Sequence, residues 1–210
     1  MKDTSPLSRD SLELLVEAAQ ALLEEPGLER LTPRLLDKAF AVSGAERGYL
    51  LLRSAGGELT PVMARGMEPG SLPEGDPSKA IIETALRERR PILSQNAARD
   101  HRFSGSESII IRGIRSACCI PLEARGSRLG ALYLDASGSG KFSECQLPAL
   151  EAFGSLAALA LARAMEYEDA RIALQVTVGG LGSQALLANQ RSCGGFTTAW
   201  NVSRELICRF

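Results

Sequence analysis

Apolar residues recur at three- and four-residue steps through Leu12, Leu15, Val16, Ala19, Leu22 and Leu23. That spacing is one face of a helix, and Pro26-Gly27 stops it. A second helical stretch puts Leu35, Leu36, Ala39 and Phe40 on its inner face. Thr32 is its expected N-cap, Pro33 its first helical position and Gly44 its left-handed stop. The pattern then turns to strand. Arg47–Arg53 is a short apolar run, residues 54–57 supply a turn, and Leu59–Arg65 returns. Pro61 inside the return predicts an edge strand or a bulge. A Gly- and Pro-rich loop over 66–77 leads to a helix opened by Ser78 and reaching Leu86, then a short strand at 91–93. After a polar stretch at 94–108 and a short helical turn at 109–111, two clean strands are expected at 116–122 and 128–135, joined by a turn at 123–127. Ser143 and Gln146 make a capping box for the last helix, which keeps its period to about Arg171 despite Pro148.

This order predicts an α+β fold: an antiparallel sheet with terminal helices on one face and a loop and short-helix cover on the other. Pockets form under thin, irregular covers. The domain is expected over residues 9–171, after an N-terminal extension at 1–8 and before a C-terminal extension at 172–210. That last stretch holds only four charges, Arg191, Arg204, Glu205 and Arg209.

Composition narrows the function. The 210 residues are 45% apolar, enough for a core without metals or disulfides. The net charge of −1 gives no basic excess for nucleic acid or an anionic membrane. The N-terminal stretch has acidic residues inside its apolar pattern, so it does not read as a signal peptide. No uninterrupted apolar run reaches a membrane span, and a cytoplasmic location is expected. Five cysteines then read as free thiols. A single His, His101, leaves little for a zinc site or a Ser-His-Asp triad.

The chain resembles a GAF domain. The residues that carry the likeness are the run 45–52 (AERGYLLL), the stretch 100–108 (DHRFSGSES), Gly113–Ser116 leading into Cys119–Leu122, Leu129–Asp135, and Phe142-Ser143. The match covers roughly residues 10–170. It implies a GAF/PAS-like, non-catalytic sensory module of the kind found in bacterial signal transduction and transcription control. Such a module binds a small molecule between sheet and cover, dimerises through its terminal helices, and passes the signal to an output domain. No output domain fits into residues 172–210, so a separate or missing one is implied. The implied relay is that ligand closes the 94–115 cover, the two strands after it shift, and the last helix changes its packing across a homodimer.

The candidate ligand pocket gathers Arg65, Asn96, Asp100, Arg102, Phe103, Ser106, Ser108, Arg112, Ser116, Cys118 and Tyr133. The loop from Asn96 to Ser108 offers polar donors, though Asp100 and Arg102 read first as a structural pair. Cyclic-nucleotide-binding members carry an Asn-Lys…Phe…Asp-Glu signature. Asn96 and Phe103 match it, but position 97 is Ala and positions 107–108 are Glu-Ser, so a cyclic nucleotide is disfavoured. No Cys lies between Gly66 and Arg115 to hold a bilin. Cys118 and Cys119 are neighbours on a strand and point to opposite faces, so at most one meets the pocket. Inert core thiols are the simpler reading. The candidate dimer interface is Leu12, Leu15, Ala19, Leu22, Leu156, Ala160 and Ala164. The competing reading is a GAF-shaped dimerisation or interaction scaffold, with Met63, Leu93, Ile110, Ile114 and Tyr133 filling the pocket.

Overall fold

Two helices, a two-stranded turn-back, a third helix and a long hairpin follow one another in the computed structural model, which describes residues 9–54, 56–66, 77–103, 109 and 113–181. Helix α1 (Arg9–Glu24) buries Leu15, Ala18 and Leu22 and leaves Leu12, Val16 and Leu23 exposed. Helix α2 (Leu28–Ser43) follows after three residues. It starts five residues earlier than the Thr32-Pro33 signal suggests. Gly27 serves as the extended N-cap, and Leu31 and Thr32 are already buried in the helix. Pro33 therefore sits inside the helix rather than at its first position. Gly44 ends it in the left-handed conformation, with its N–H on the Phe40 carbonyl.

Strands β1 (Arg47–Arg53), β2 (Leu59–Arg65), β3 (Ile92–Ser94), β4 (Ser116–Ala124) and β5 (Ser127–Ala136) form one antiparallel sheet in the order β2-β1-β5-β4-β3. Strand β2 is an edge, and its register with β1 shifts opposite Leu50/Leu51, where Pro61 lies. Pro61 thus marks both an edge and a bulge. The β4–β5 turn is tighter than expected. Arg125 and Gly126 alone make it, both with positive φ (51° and 79°), which is the two-residue geometry that suits strand twist.

The sheet divides two cores. On one face Leu50, Leu52, Cys118, Ile120, Leu132 and Leu134 meet α1, α2 and the last helix, α4 (Leu147–Leu181). A short 3-10 turn, Glu144–Gln146, precedes α4, and Ser143 and Gln146 form the expected capping box. The helix continues past Arg171 to Leu181. By length and composition α4 is apolar enough to cross a membrane, yet half of that stretch is buried in the fold. On the other face Tyr49, Leu51, Cys119, Ala131 and Tyr133 meet helix α3 (Lys79–Glu88) and Phe103, Ile109 and Ile114. These last residues are the cover.

Candidate functional site

Strand alternation decides what faces the cover. Arg47 stands opposite Asp135, and Tyr49 opposite Tyr133, on adjacent strands β1 and β5. The Arg47 Nε donates to Asp135 Oδ1 at 2.5 Å. The two tyrosine rings meet edge-on at 6.0 Å between centroids. Ser78, the N-cap of α3, is fully buried. Its backbone N–H lies close enough to the Tyr133 oxygen to act on it electrostatically, as do Asp135 and Arg47.

Three polar atoms in this cluster are buried with no hydrogen-bond partner: Tyr133 Oη, Ser78 Oγ and Arg47 Nη2. Each can donate. Ser78 stands at the start of α3, where backbone N–H groups lack intrahelical acceptors, and Arg47 and Tyr133 stand on the adjacent strands β1 and β5. Burying such groups unpaired costs about 1–3 kcal/mol each. Burial, with the Asp135 charge behind it, pushes the Tyr133 phenol well above its ordinary range. It stays a donor at neutral pH.

Ser116 serves the scaffold instead. Its hydroxyl donates to the Gly138 carbonyl at 2.6 Å. Phe103 is buried in the cover-side core, with the Arg102 guanidinium over its ring at 5.1 Å. Two residues assigned to the pocket sit elsewhere. Cys118 faces the helices, and its neighbour Cys119 faces the cover. The alternation was legible, but which phase it takes is set by pairing with Leu134 and Tyr133. Burial pushes the Cys118 thiol up to about 12 and holds Cys119 well above its ordinary value, so neither is a thiolate at neutral pH. Arg65 also lies off the cover, because its guanidinium pairs with Asp37 on α2. Ser106, Ser108 and Arg112 lie outside the described residues. Of the proposed pocket fillers, Met63 and Leu93 pack on the helix side, Ile114 and Tyr133 on the cover side, and Ile110 lies outside the described residues.

Asn96, Asp100 and Arg102 come together, but at the open edge of the sheet. There a groove of about 570 Å³ runs between β3, the 95–102 segment and the start of α4. Asp100 is the knot of this segment. It accepts from Ser94 Oγ at 2.8 Å, from the Arg102 backbone N–H at 3.1 Å and from Arg102 Nη2 at 2.7 Å. The same Nη2 donates to the Leu93 carbonyl at 2.8 Å, which closes the outer edge of β3. The Arg102 hydrogen bond is the main reason that the Asp100 carboxyl is held down to about 2.

The interface residues divide as well. Leu15, Leu22, Ala160 and Ala164 are buried within the fold and cannot meet a second copy, because α1 and α4 pack on each other and on α2. Leu12 is exposed, while Ala19 and Leu156 are half-buried. Val16 and Leu23, read as part of the α1 apolar face but not as interface, are exposed, as are Leu159 and Tyr167, which the helical spacing did not single out. Arg47, Ser78 and Asp135 were missed in the site. Counting by twos back from Tyr49 and forward from Tyr133 reaches Arg47 and Asp135, so a signal for two of the three was present.

A five-stranded antiparallel sheet with terminal helices on one face and a short-helix cover on the other, with buried polar groups on the cover side, defines a class of small α+β domains. The GAF domain profile matches residues 27–161, and the chain belongs to the GAF family. The fold is similar to that of the GAF domain of an Acinetobacter phosphoenolpyruvate-protein phosphotransferase (16% identity, 76% of this chain and 96% of that one, TM-score 0.61). It is also similar to the free methionine-R-sulfoxide reductase of Neisseria meningitidis, solved with its substrate (15% identity, 77% and 95%, TM-score 0.57). A third similar structure is the chromophore-binding domain of a Stigmatella aurantiaca bacteriophytochrome (15% identity, 77% and 62%, TM-score 0.59). At these identities the likeness is one of fold. No curated protein is similar in sequence.

Proposed function

We propose that this GAF domain is a non-catalytic sensory module that binds a small molecule bearing an acceptor or anionic group beneath its cover. One observation carries the reading: Tyr133 Oη, Ser78 Oγ and Arg47 Nη2 are buried without hydrogen-bond partners, and both Arg47 and the Ser78 backbone act on the Tyr133 oxygen. A ligand there removes the cost of leaving them unpaired. The signalling context is that of the bacteriophytochrome and phosphotransferase domains of similar fold. In this reading the protein acts in bacterial signal transduction or transcription control, in the cytoplasm, as a homodimer joined through α1 and α4. Ligand closes the cover, β4 and β5 shift slightly, and α4 changes its packing against the second copy.

Tyr133→Phe tests the reading. In the ligand-free protein the change is expected to be neutral or slightly stabilising, since it removes an unpaired buried hydroxyl. Native mass spectrometry of the purified chain should show a discrete extra mass, lost on denaturation, that Tyr133→Phe weakens at least about ten-fold (~1.4 kcal/mol). A chain that carries no extra mass, and that Tyr133→Phe destabilises by a kilocalorie or more, would favour the scaffold reading. The packing of Phe103, Ile109 and Ile114 onto this face of the sheet is the observation behind that alternative.

A further inference from the structure

The groove at the sheet edge presents an unusual charge pattern. Arg102 is held by Asp100 and the Leu93 carbonyl, and Arg90 is paired with Glu88 at 2.6 Å. Two lining charges have no partner among the described residues: Arg99, in the turn after β3, and Glu144, at the start of the 3-10 turn before α4. They are of opposite sign and come from different segments. Both are exposed. Within the groove the Asn96 Oδ1 is buried and lacks a donor. Pro91, Leu93 and Leu147 supply apolar lining.

We propose that this groove binds a zwitterion, a free α-amino acid or a dipeptide with an apolar side chain. The ligand carboxylate pairs with Arg99, whose planar guanidinium suits a two-oxygen acceptor. The ammonium donates to Glu144 and to Asn96 Oδ1. The side chain lies over Leu93 and Leu147. A plain anion would satisfy Arg99 but face Glu144, and a plain cation would face Arg99. An extended peptide adding to β3 is disfavoured, because Arg102 occupies the Leu93 carbonyl that an added strand would need. The site is separate from the one beneath the cover. The segment that lines it, however, runs directly into Phe103 of the cover-side core.

The test uses the isotope-labelled full chain, titrated by NMR with L-leucine, L-methionine and L-leucyl-L-leucine. Two half-ligands, 4-methylpentanoate and 3-methylbutylamine, serve as comparisons. Saturable shifts confined to residues 90–102 and 144–147 are expected with the zwitterions, and at least about ten-fold weaker binding with either half-ligand. Arg99→Gln and Glu144→Gln, both at exposed positions, should each weaken zwitterion binding by about ten-fold, while Tyr133→Phe leaves it unchanged. Tighter binding of the dipeptide identifies a peptide source, and equal or weaker binding a free amino acid. Absence of saturable shifts up to about 20 mM zwitterion, or a half-ligand binding as well as leucine, overturns the proposal. Neither result bears on the site beneath the cover.

Discussion

Asp100 is the knot of the segment after β3. It gathers Ser94, the Arg102 backbone and the Arg102 side chain, and through Arg102 it reaches the edge carbonyl of Leu93. Its carboxyl is lowered from 3.8 to about 2, chiefly by the Arg102 hydrogen bond, against the opposing effect of burial. A carboxyl lowered on folding contributes stability above its unfolded value and loses that contribution as pH falls through its folded one. The clasp is therefore complete above about pH 4 and is lost toward pH 2. Asp100→Asn should destabilise the protein by about 1–3 kcal/mol at pH 7. The gap between the two proteins, read by urea unfolding, should shrink steadily from pH 4 to pH 2. A gap constant with pH would mean that the carboxylate charge is not what holds the segment.

The elements fit by close approach as well as by pattern. Gly154 on α4 lies against Ile120 of β4, where a Cβ would collide with the branched methyl. A small residue there lets the helix settle onto the sheet. Gly154→Val should destabilise by roughly 1–3 kcal/mol in chemical denaturation, since neither partner has a flexible end to yield. A neutral outcome would show that α4 can lift without loss. The element pattern was largely readable from the chain: strand β1, the β4–β5 pair, the edge role of Pro61 and the Ser143–Gln146 cap follow from local chemistry. The start of α2 was not, because Gly27 caps it through backbone conformation alone, while Thr32-Pro33 imitates a stronger start signal. The site was only partly readable. Tyr133 and Asn96 carry obvious polar groups. Arg47 and Ser78 look like ordinary strand and cap residues until pairing with β5 and the placement of α3 leave a buried polar atom on each without a partner. The same pairing assigns Cys118 to the helix side, which no count along one strand can do.

At the scale of the molecule, the helix layer leaves an apolar strip open. Leu12, Val16 and Leu23 repeat on α1 at steps of four and seven, and Leu159 and Tyr167 stand on α4. A soluble surface rarely leaves such a strip uncovered, and a symmetric pair of chains would cover both copies at once. Removing Leu15 or Leu22 would not test this, because both lie inside the fold. Leu12→Glu with Val16→Glu changes exposed positions only. It should convert a dimer to a folded monomer in sedimentation equilibrium. A wild-type monomer, or a double variant that still dimerises, would remove α1 from the interface.

Helix α4 is 35 residues long, which at 1.5 Å per residue is a rod of about 52 Å. Its first turn borders the groove that holds Arg99 and Glu144, and its last described side chain, Leu174, is 70% exposed. Ala149 through Ala164 are packed into the helix-side core, so the rod is held along its first half, while most side chains from Glu166 to Leu174 are exposed. An angular change of about 5° in that second half, about 25 Å long, moves its end by about 2 Å.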